Sequence, residues 1–170
     1  MDDTDQILKE IYQEYASRLY AYGLQICPDK VLVEDALHDV FLDLLRNRKT
    51  FLKAENKRNY LFAAVRYKIY RQMRGMPEYL DINQTGMMAD PSCEERLIED
   101  EQARLQEALS KEMLASLTPR QREILYLRFV EKMHFQEIAS FLSIAPQSAQ
   151  NLFGRAIARL RKIFLSEKED

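Results

Sequence analysis

The chain has 170 residues, 46% of them hydrophobic, with 25 Lys and Arg against 27 Asp and Glu for a formal net charge of -2. That length fits one large domain or two small ones, and that apolar share supports buried cores and excludes a disordered chain. Four Gly and five Pro leave little turn punctuation, while Leu, Ala, Glu, Lys, Arg and Gln recur at three- and four-residue spacing, so an all-α fold is expected.

The start, MDDTDQILKE, lacks the basic-then-apolar pattern of a secretion signal, and no window approaches the roughly 18 apolar residues of a membrane span. A cytoplasmic protein with no direct membrane insertion is expected. Ile7, Ile11, Tyr15, Leu19, Tyr22 and Ile26 form one apolar stripe on a first helix that Pro28 ends. A second helix, over about residues 30–47, turns Val33, Leu37, Val40, Phe41 and Leu44 inward and leaves Glu34, Asp35, Asp39 and Asp43 elsewhere. Residues 1–45 carry ten acids against three bases, a net -7. From Arg46 to Gly75 the balance reverses to ten bases against one acid, a net +9. This basic block begins with an expected loop, RNRKTFLKAEN, and continues on a third helix over about 57–74 with Leu61, Ala64, Val65 and Ile69 inward. The three helices predict a compact N-terminal domain over residues 1–75.

Helical spacing fails over 76–91, where Pro77, Gly86 and Pro91 fall, and a flexible linker is expected there. A second helical domain is expected over 92–170. It opens on Ser92 and Glu95, spaced as a capping box, and Leu97, Ile98, Leu105, Leu109 and Met113 continue the stripe. Thr118, Pro119 and Gln121 mark another helix start, followed by Ile124, Leu125, Leu127 and Phe129. Two last helices, over about 135–142 and 146–165, are separated only by Ser143, Ile144 and Ala145, the spacing of a helix-turn-helix. Residues 76–118 hold ten acids against three bases, and 119–170 nine bases against six acids. Two cationic stretches, each beside an anionic one, point to a polyanion as a partner despite the near-neutral total.

In a helix-turn-helix the first helix props the second into the major groove of DNA. Ile138, Ala139 and Leu142 would hold the supporting helix and Ile144 would plug the turn. On the second helix Ala149, Leu152, Phe153, Ala156 and Leu160 would face inward, leaving Gln147, Ser148, Gln150, Asn151 and Arg155 outward. Gln and Asn amides match adenine with two hydrogen bonds, and Arg matches guanine or phosphate.

These residues carry a resemblance. Leu117 to Phe164, LTPRQREILYLRFVEKMHFQEIASFLSIAPQSAQNLFGRAIARLRKIF, resembles the promoter-binding C-terminal region of extracytoplasmic-function sigma factors. Val33 to Leu45, VEDALHDVFLDLL, resembles that family's polymerase-binding helix, and Asn56 to Arg74, NKRNYLFAAVRYKIYRQMR, its minus 10 recognition helix. The resemblance implies that Asp35, His38, Asp39, Phe41 and Leu45 meet core RNA polymerase. It implies that Asn56, Lys57, Arg58, Tyr60, Arg66, Tyr67, Arg71 and Arg74 hold the opened strand of promoter DNA at the minus 10 element. It assigns Gln147, Ser148, Gln150, Asn151 and Arg155 to the minus 35 element, and it implies an anti-sigma factor as a further partner. The residue chemistry suits the middle assignment, because tyrosine rings stack on unpaired bases while Lys and Arg neutralise phosphates. The chain departs from the family pattern at Tyr60, often Trp, at Tyr67, often Asn, and at Arg71, often an acid. In the last helix Ala145, Gln150, Leu152 and Gly154 stand where Ser, Lys, Arg and His are frequent, which removes phosphate contacts.

Two other classes compete. A regulator that binds operator DNA alone would use the N-terminal bundle to sense or dimerise and would bind paired half-sites. An all-helical enzyme would need a constellation around its two histidines, yet His38 and His134 are isolated, with no nucleophile, paired acid or glycine-rich loop near them in sequence. No catalytic residue is therefore expected. Cys27 and Cys93 show neither a CxxC nor a metal-ligand spacing, so neither a metal nor another cofactor is expected.

Overall fold

The computed structural model describes residues 3–74 and 111–166 and divides the chain into two compact helical units, Met1–Asp81 and Ile82–Asp170. Among the described residues there is no strand, and no helix is long and apolar enough to cross a membrane.

The first unit holds α1 (Asp3–Ile26), α2 (Lys30–Arg46), α3 (Arg48–Leu52) and α4 (Lys57–Arg74). Cys27, Pro28 and Asp29 separate α1 from α2. The Asp29 carboxylate accepts the Leu32 backbone N–H at 3.2 Å, satisfying one of the free donors at the start of α2. The core is built from Leu8, Ile11, Leu19, Tyr22 and Ile26 of α1, Leu32, Val33, Ala36, Val40 and Leu44 of α2, and Leu61, Phe62, Val65, Ile69 and Met73 of α4. The Tyr22 and Phe62 rings meet there with centroids 5.0 Å apart.

Two expectations need correction. The stripe of α1 begins at Leu8, which is buried, whereas Ile7 is 39% exposed. Both residues satisfy helical spacing to Ile11, and only the direction of the packing partners distinguishes them. The stretch RNRKTFLKAEN is not a plain loop: it contains the single turn α3, anchored by the fully buried Phe51. One turn is too short to show periodicity, so it left no pattern to find.

In the second unit residues 111–115 are helical. The expected capping box at Thr118 is present in both directions: the Thr118 N–H donates to Gln121 Oε1 at 3.0 Å, and the Gln121 N–H donates to Thr118 Oγ1 at 3.2 Å. It opens α5 (Pro119–Phe129), with Pro119 at the position where a missing N–H costs nothing. The Arg122 guanidinium returns to the carbonyl of Leu117 at 2.7 Å, tying the start of α5 to the segment before it. Next comes α6 (Phe135–Leu142), where the His134 N–H donates to Glu137 Oε2 at 2.8 Å. Last is α7 (Pro146–Ser166). Leu117, Ile124, Leu125, Leu127, Met133, Ile138, Ala139, Ala149 and Ala156 make the core, and Phe153, Ile157 and Leu160 pack against its Leu117, Leu125 and Ala156 portion. Phe129 lies 53% exposed rather than inward, its ring centroid 5.7 Å from Phe153. The box at Ser92 and the linker over 76–91 lie outside the described residues.

Two glycines give a paired test. A Cβ on Gly23 of α1 would stand 2.6 Å from Val33 Cγ1 and 3.1 Å from Ile69 Cδ1, while a Cβ on Gly154 of α7 would meet nothing within 4 Å. Val33 is β-branched and stiff, so it yields little space. Gly23→Ala should destabilise the protein by about 1–3 kcal/mol, overpacking outweighing the gain in helix propensity. Gly154→Ala should stabilise it by up to about 1 kcal/mol. Urea unfolding followed by circular dichroism should show these opposite signs for the same substitution.

Candidate polymerase and nucleic-acid interfaces

Three surfaces gather the chemistry. On α2 the solvent-facing arc holds Asp35, His38 and Leu45, all exposed, with Leu45 at 46%. Phe41 and Asp39 flank this arc and are half-buried. Phe41 leans on α1, its ring edge-on to Tyr12 at 4.8 Å. Asp39 lies one turn before Asp43, on the side toward α4. The surface has an apolar part that sequence spacing missed: Tyr12 is 54% exposed and Val31 66%. Tyr12 sits off the stripe of α1, and an aromatic at such a position was the available signal.

The second surface lies where α2 meets α4. Val40, Asp43 and Leu44 of α2 and Tyr60, Ala64, Tyr67, Lys68 and Arg71 of α4 line a cleft of about 240 Å³. Positions 60, 64, 67, 68 and 71 share one helix face by their spacing of three and four. Tyr67 is 64% exposed, while Tyr60 is 36% exposed and its ring rests edge-on against Phe51 at 5.5 Å. Tyr60 is thus both a packing residue and a rim residue, and α3 is what props it. The volume is below the roughly 300–1,000 Å³ of small-molecule sites and suits one flat ring at its mouth.

Not every residue assigned to this surface reaches it. Tyr60, Tyr67 and Arg71 line the cleft; Lys57 and Arg74 share their side of α4 by helical phase. Arg58 and Arg66 lie on other sides. Arg58 acts electrostatically on Tyr15 of α1 and its Nε donates to Asn59 Oδ1 at 3.3 Å, and the Arg66 guanidinium sits 4.7 Å from the Tyr70 ring centroid. Asn56 has a local task, since its side chain accepts the Asn59 N–H at 2.9 Å and caps α4. Lys68 was missed, although the spacing from Tyr60 and Ala64 pointed to it.

Lys68 Nζ pairs with Asp43 Oδ2 at 2.8 Å, a bond between the two helices at the cleft. That ammonium holds the Asp43 carboxyl below its ordinary value.

The third surface is the helix-turn-helix. Ser143 ends α6 with φ 55°, ψ 45°, and the Ile144 N–H reaches back to the Ala139 carbonyl at 2.9 Å, so the chain turns sharply into α7. Ala149 and Ala156 are fully buried and bring α7 close to its support. Gln147, Ser148, Gln150, Asn151 and Arg155 are all exposed on its first turns, and Gln147 Nε2 donates to Asn151 Oδ1 at 3.1 Å. Phe153 fixes the helix from within, its ring 5.2 Å from Phe135 of α6.

Comparison with known proteins falls on the same surfaces. The model of Sigma-70 region 2 matches residues 11–75, which include the α2 face and the cleft, and the model of Sigma-70 region 4 matches residues 107–160, which include the helix-turn-helix. The chain belongs to the sigma-70 family, among the extracytoplasmic-function sigma factors. It is 25% identical over 168 residues to the ECF RNA polymerase sigma factor SigX of Bacillus subtilis (strain 168), covering 95% of this chain and 84% of that protein. The sigma factor RpoE of Bartonella quintana, solved with the anti-sigma factor NepR, shares the fold with a TM-score of 0.62 at 18% identity, over 92% of this chain and 95% of that one.

In this sigma factor the Asp43–Lys68 pair should give a pH signature. Because the folded carboxyl titrates below its unfolded value near 4, its contribution is present above that value and is lost as pH falls through the folded one. Asp43→Asn should therefore be less stable than the parent at pH 7, and the two unfolding midpoints should converge as the pH is lowered below about 4. A difference that stays constant from pH 7 to pH 3 would contradict this account.

Proposed function

We propose that this sigma factor docks on core RNA polymerase through the outer face of α2, holds the minus 10 strand at the cleft and adjoining face of α4, and reads the minus 35 element with α7. The observation that carries this division is the order of the two family matches, region 2 over the acidic face and tyrosine cleft and region 4 over the helix-turn-helix. Residues 1–75 would form the polymerase and minus 10 domain, 76–91 the linker and 92–170 the minus 35 domain.

The chemistry of each surface supports its part. Asp35 and Asp39 offer carboxylates to a cationic partner, with Phe41 and Leu45 as apolar contacts beside them. Tyr67 presents a mostly free ring, and stacking is worth about 1–3 kcal/mol per base, which helps offset unpairing. Lys57, Arg71 and Arg74 supply phosphate contacts next to it, and Arg155 does so on α7. The protein acts without catalytic chemistry of its own and works in the cytoplasm, where polymerase and promoters are. An anti-sigma factor would restrain it by covering the same surfaces; the Bartonella quintana sigma factor was solved in complex with one.

The test is reconstitution of the purified chain with core RNA polymerase and run-off transcription from a cognate promoter. Asp39→Arg should abolish binding to the core enzyme. Arg155→Ala should leave core binding intact and weaken promoter binding by the holoenzyme by about 1–3 kcal/mol. Tyr67→Ala should spare both and slow strand opening, read by permanganate reactivity of unpaired thymines. Failure to bind core polymerase at low and moderate salt would overturn the proposal, and equal loss of core binding in the Asp39 and Arg155 variants would overturn the division of surfaces.

A further inference from the structure

The cleft proposed for the opened strand contains an acid. Of the described residues that line it, Asp43, Lys68 and Arg71 are charged, and the first two are bonded to each other at 2.8 Å. Lys68 follows Tyr67 directly and stands within one turn of Arg71 on the same helix, where a cation belongs if the face is to hold phosphates.

The bond does more than occupy one N–H. Lys68 keeps further N–H groups, yet the pair as a whole carries no net charge, so a phosphate drawn by the ammonium is pushed by the carboxylate at nearly the same distance. Exposure tips this balance: the Asp43 side chain is 46% exposed and that of Lys68 20%. A polyanion entering from solvent therefore meets the acid first. Asp43 is charged at neutral pH, because the hydrogen bond from Lys68 holds its carboxyl below the ordinary value.

We propose that Asp43 is a negative determinant of strand binding: it cancels Lys68, so that Arg71 and the tyrosines set how tightly the cleft holds the opened strand. This rests on the proposed placement of the minus 10 strand on α4. The physical sense lies in what phosphate contacts do not distinguish. They add affinity for any strand in any register, whereas a ring stacks only on a base that is already unpaired. In a stretch of net +9, an acid at the cleft lowers the first contribution and leaves the second, which gives stacking a larger share of the binding. A simple brace between α2 and α4 is the competing reading of the same bond, and it predicts the opposite sign for one variant.

The experiment uses holoenzyme reconstituted from core polymerase and the full chain, with a promoter fragment that is duplex through the upstream element and single-stranded over the minus 10 element. Asp43→Asn should bind this fragment about 2- to 5-fold tighter. Its log affinity should fall more steeply with log salt, by about 0.7, the contribution of one more phosphate contact on a single strand. Lys68→Met, which leaves the acid uncancelled, should bind more weakly by a similar factor, and the double variant should return to about the parental affinity. A partly unfolded variant binds less, so loss of fold cannot imitate the gain in Asp43→Asn. Weaker or unchanged binding in Asp43→Asn would overturn the proposal, and weakening in both single variants is the result a brace predicts. Arg71→Ala separates the two levels of the argument. If it weakens binding while Asp43→Asn does not strengthen it, the role of Asp43 falls and the strand placement stands. If Arg71→Ala, Asp43→Asn and Lys68→Met all leave binding unchanged, the placement falls as well.

Discussion

Three helices meet at a point where one of them has no side chain. At Gly23 the backbone of α1 comes so near α2 and α4 that a single added carbon would lie 2.6 Å from Val33 Cγ1. Close packing of this kind fixes helix positions to within a fraction of an ångström, because side chains in a dense core have nowhere else to go. The consequence appears on the far side of the bundle. With the inner faces of α2 and α4 set against α1, their outer edges stand at the separation that lets Asp43 and Lys68 bond at 2.8 Å and leaves the cleft between Tyr60, Tyr67 and Arg71 open. The cleft surface is therefore set from the core outward, by rigid helices rather than by loops.

Charge follows the same geometry. The acidic stretch ending at Leu45 and the basic stretch from Arg46 to Gly75 fold side by side, and the Asp43–Lys68 ion pair lies at the seam. Beyond that pair, Asp35 lies on the outer arc of α2, while Lys57, Arg71 and Arg74 lie on the cleft side of α4. On the proposed division of surfaces, such an arrangement would present one face to a cationic protein and another to phosphates, and wrong-sign contacts are the expensive ones in recognition. A net charge of -2 says nothing of this, because it averages over two stretches of opposite sign.

Legibility in the sequence tracked the length of each pattern. Helix α4 and helix α6 lie over the residues that spacing predicted, and the Thr118 box was readable because capping needs specific residues at a fixed interval. Turn α3 was not readable, since a single turn carries one apolar anchor and no period. The same limit affected the cleft. The resemblance assigned Arg58, Arg66 and Arg71 alike to the minus 10 strand, but helical phase puts only Arg71 of the three beside the tyrosines and brings in Lys68, which the resemblance left out. Asn56 shows a third limit. An exposed polar residue at a helix start has two competing uses, and the 2.9 Å bond to the Asn59 N–H shows the cap is made.

The exposed start of the recognition helix is made mostly of amides and hydroxyls, with Arg155 its one cation among the candidate residues. Affinity for DNA comes chiefly from phosphate neutralisation and counterion release, and amides contribute little of either. If this start of α7 alone met the DNA, it would bind weakly by itself, and attachment through the other unit would supply the missing affinity. On the proposed division, with the N-terminal unit held on polymerase, binding of the second unit to the same promoter would become an intramolecular event, and effective concentrations in the millimolar range would raise overall affinity without any new contact. Under that arrangement strong phosphate binding by α7 would be a disadvantage, since it would hold the free protein on arbitrary DNA. Hydrogen bonding through amides adds discrimination between bases at little general affinity, which is what a reader carried to its site by another surface requires.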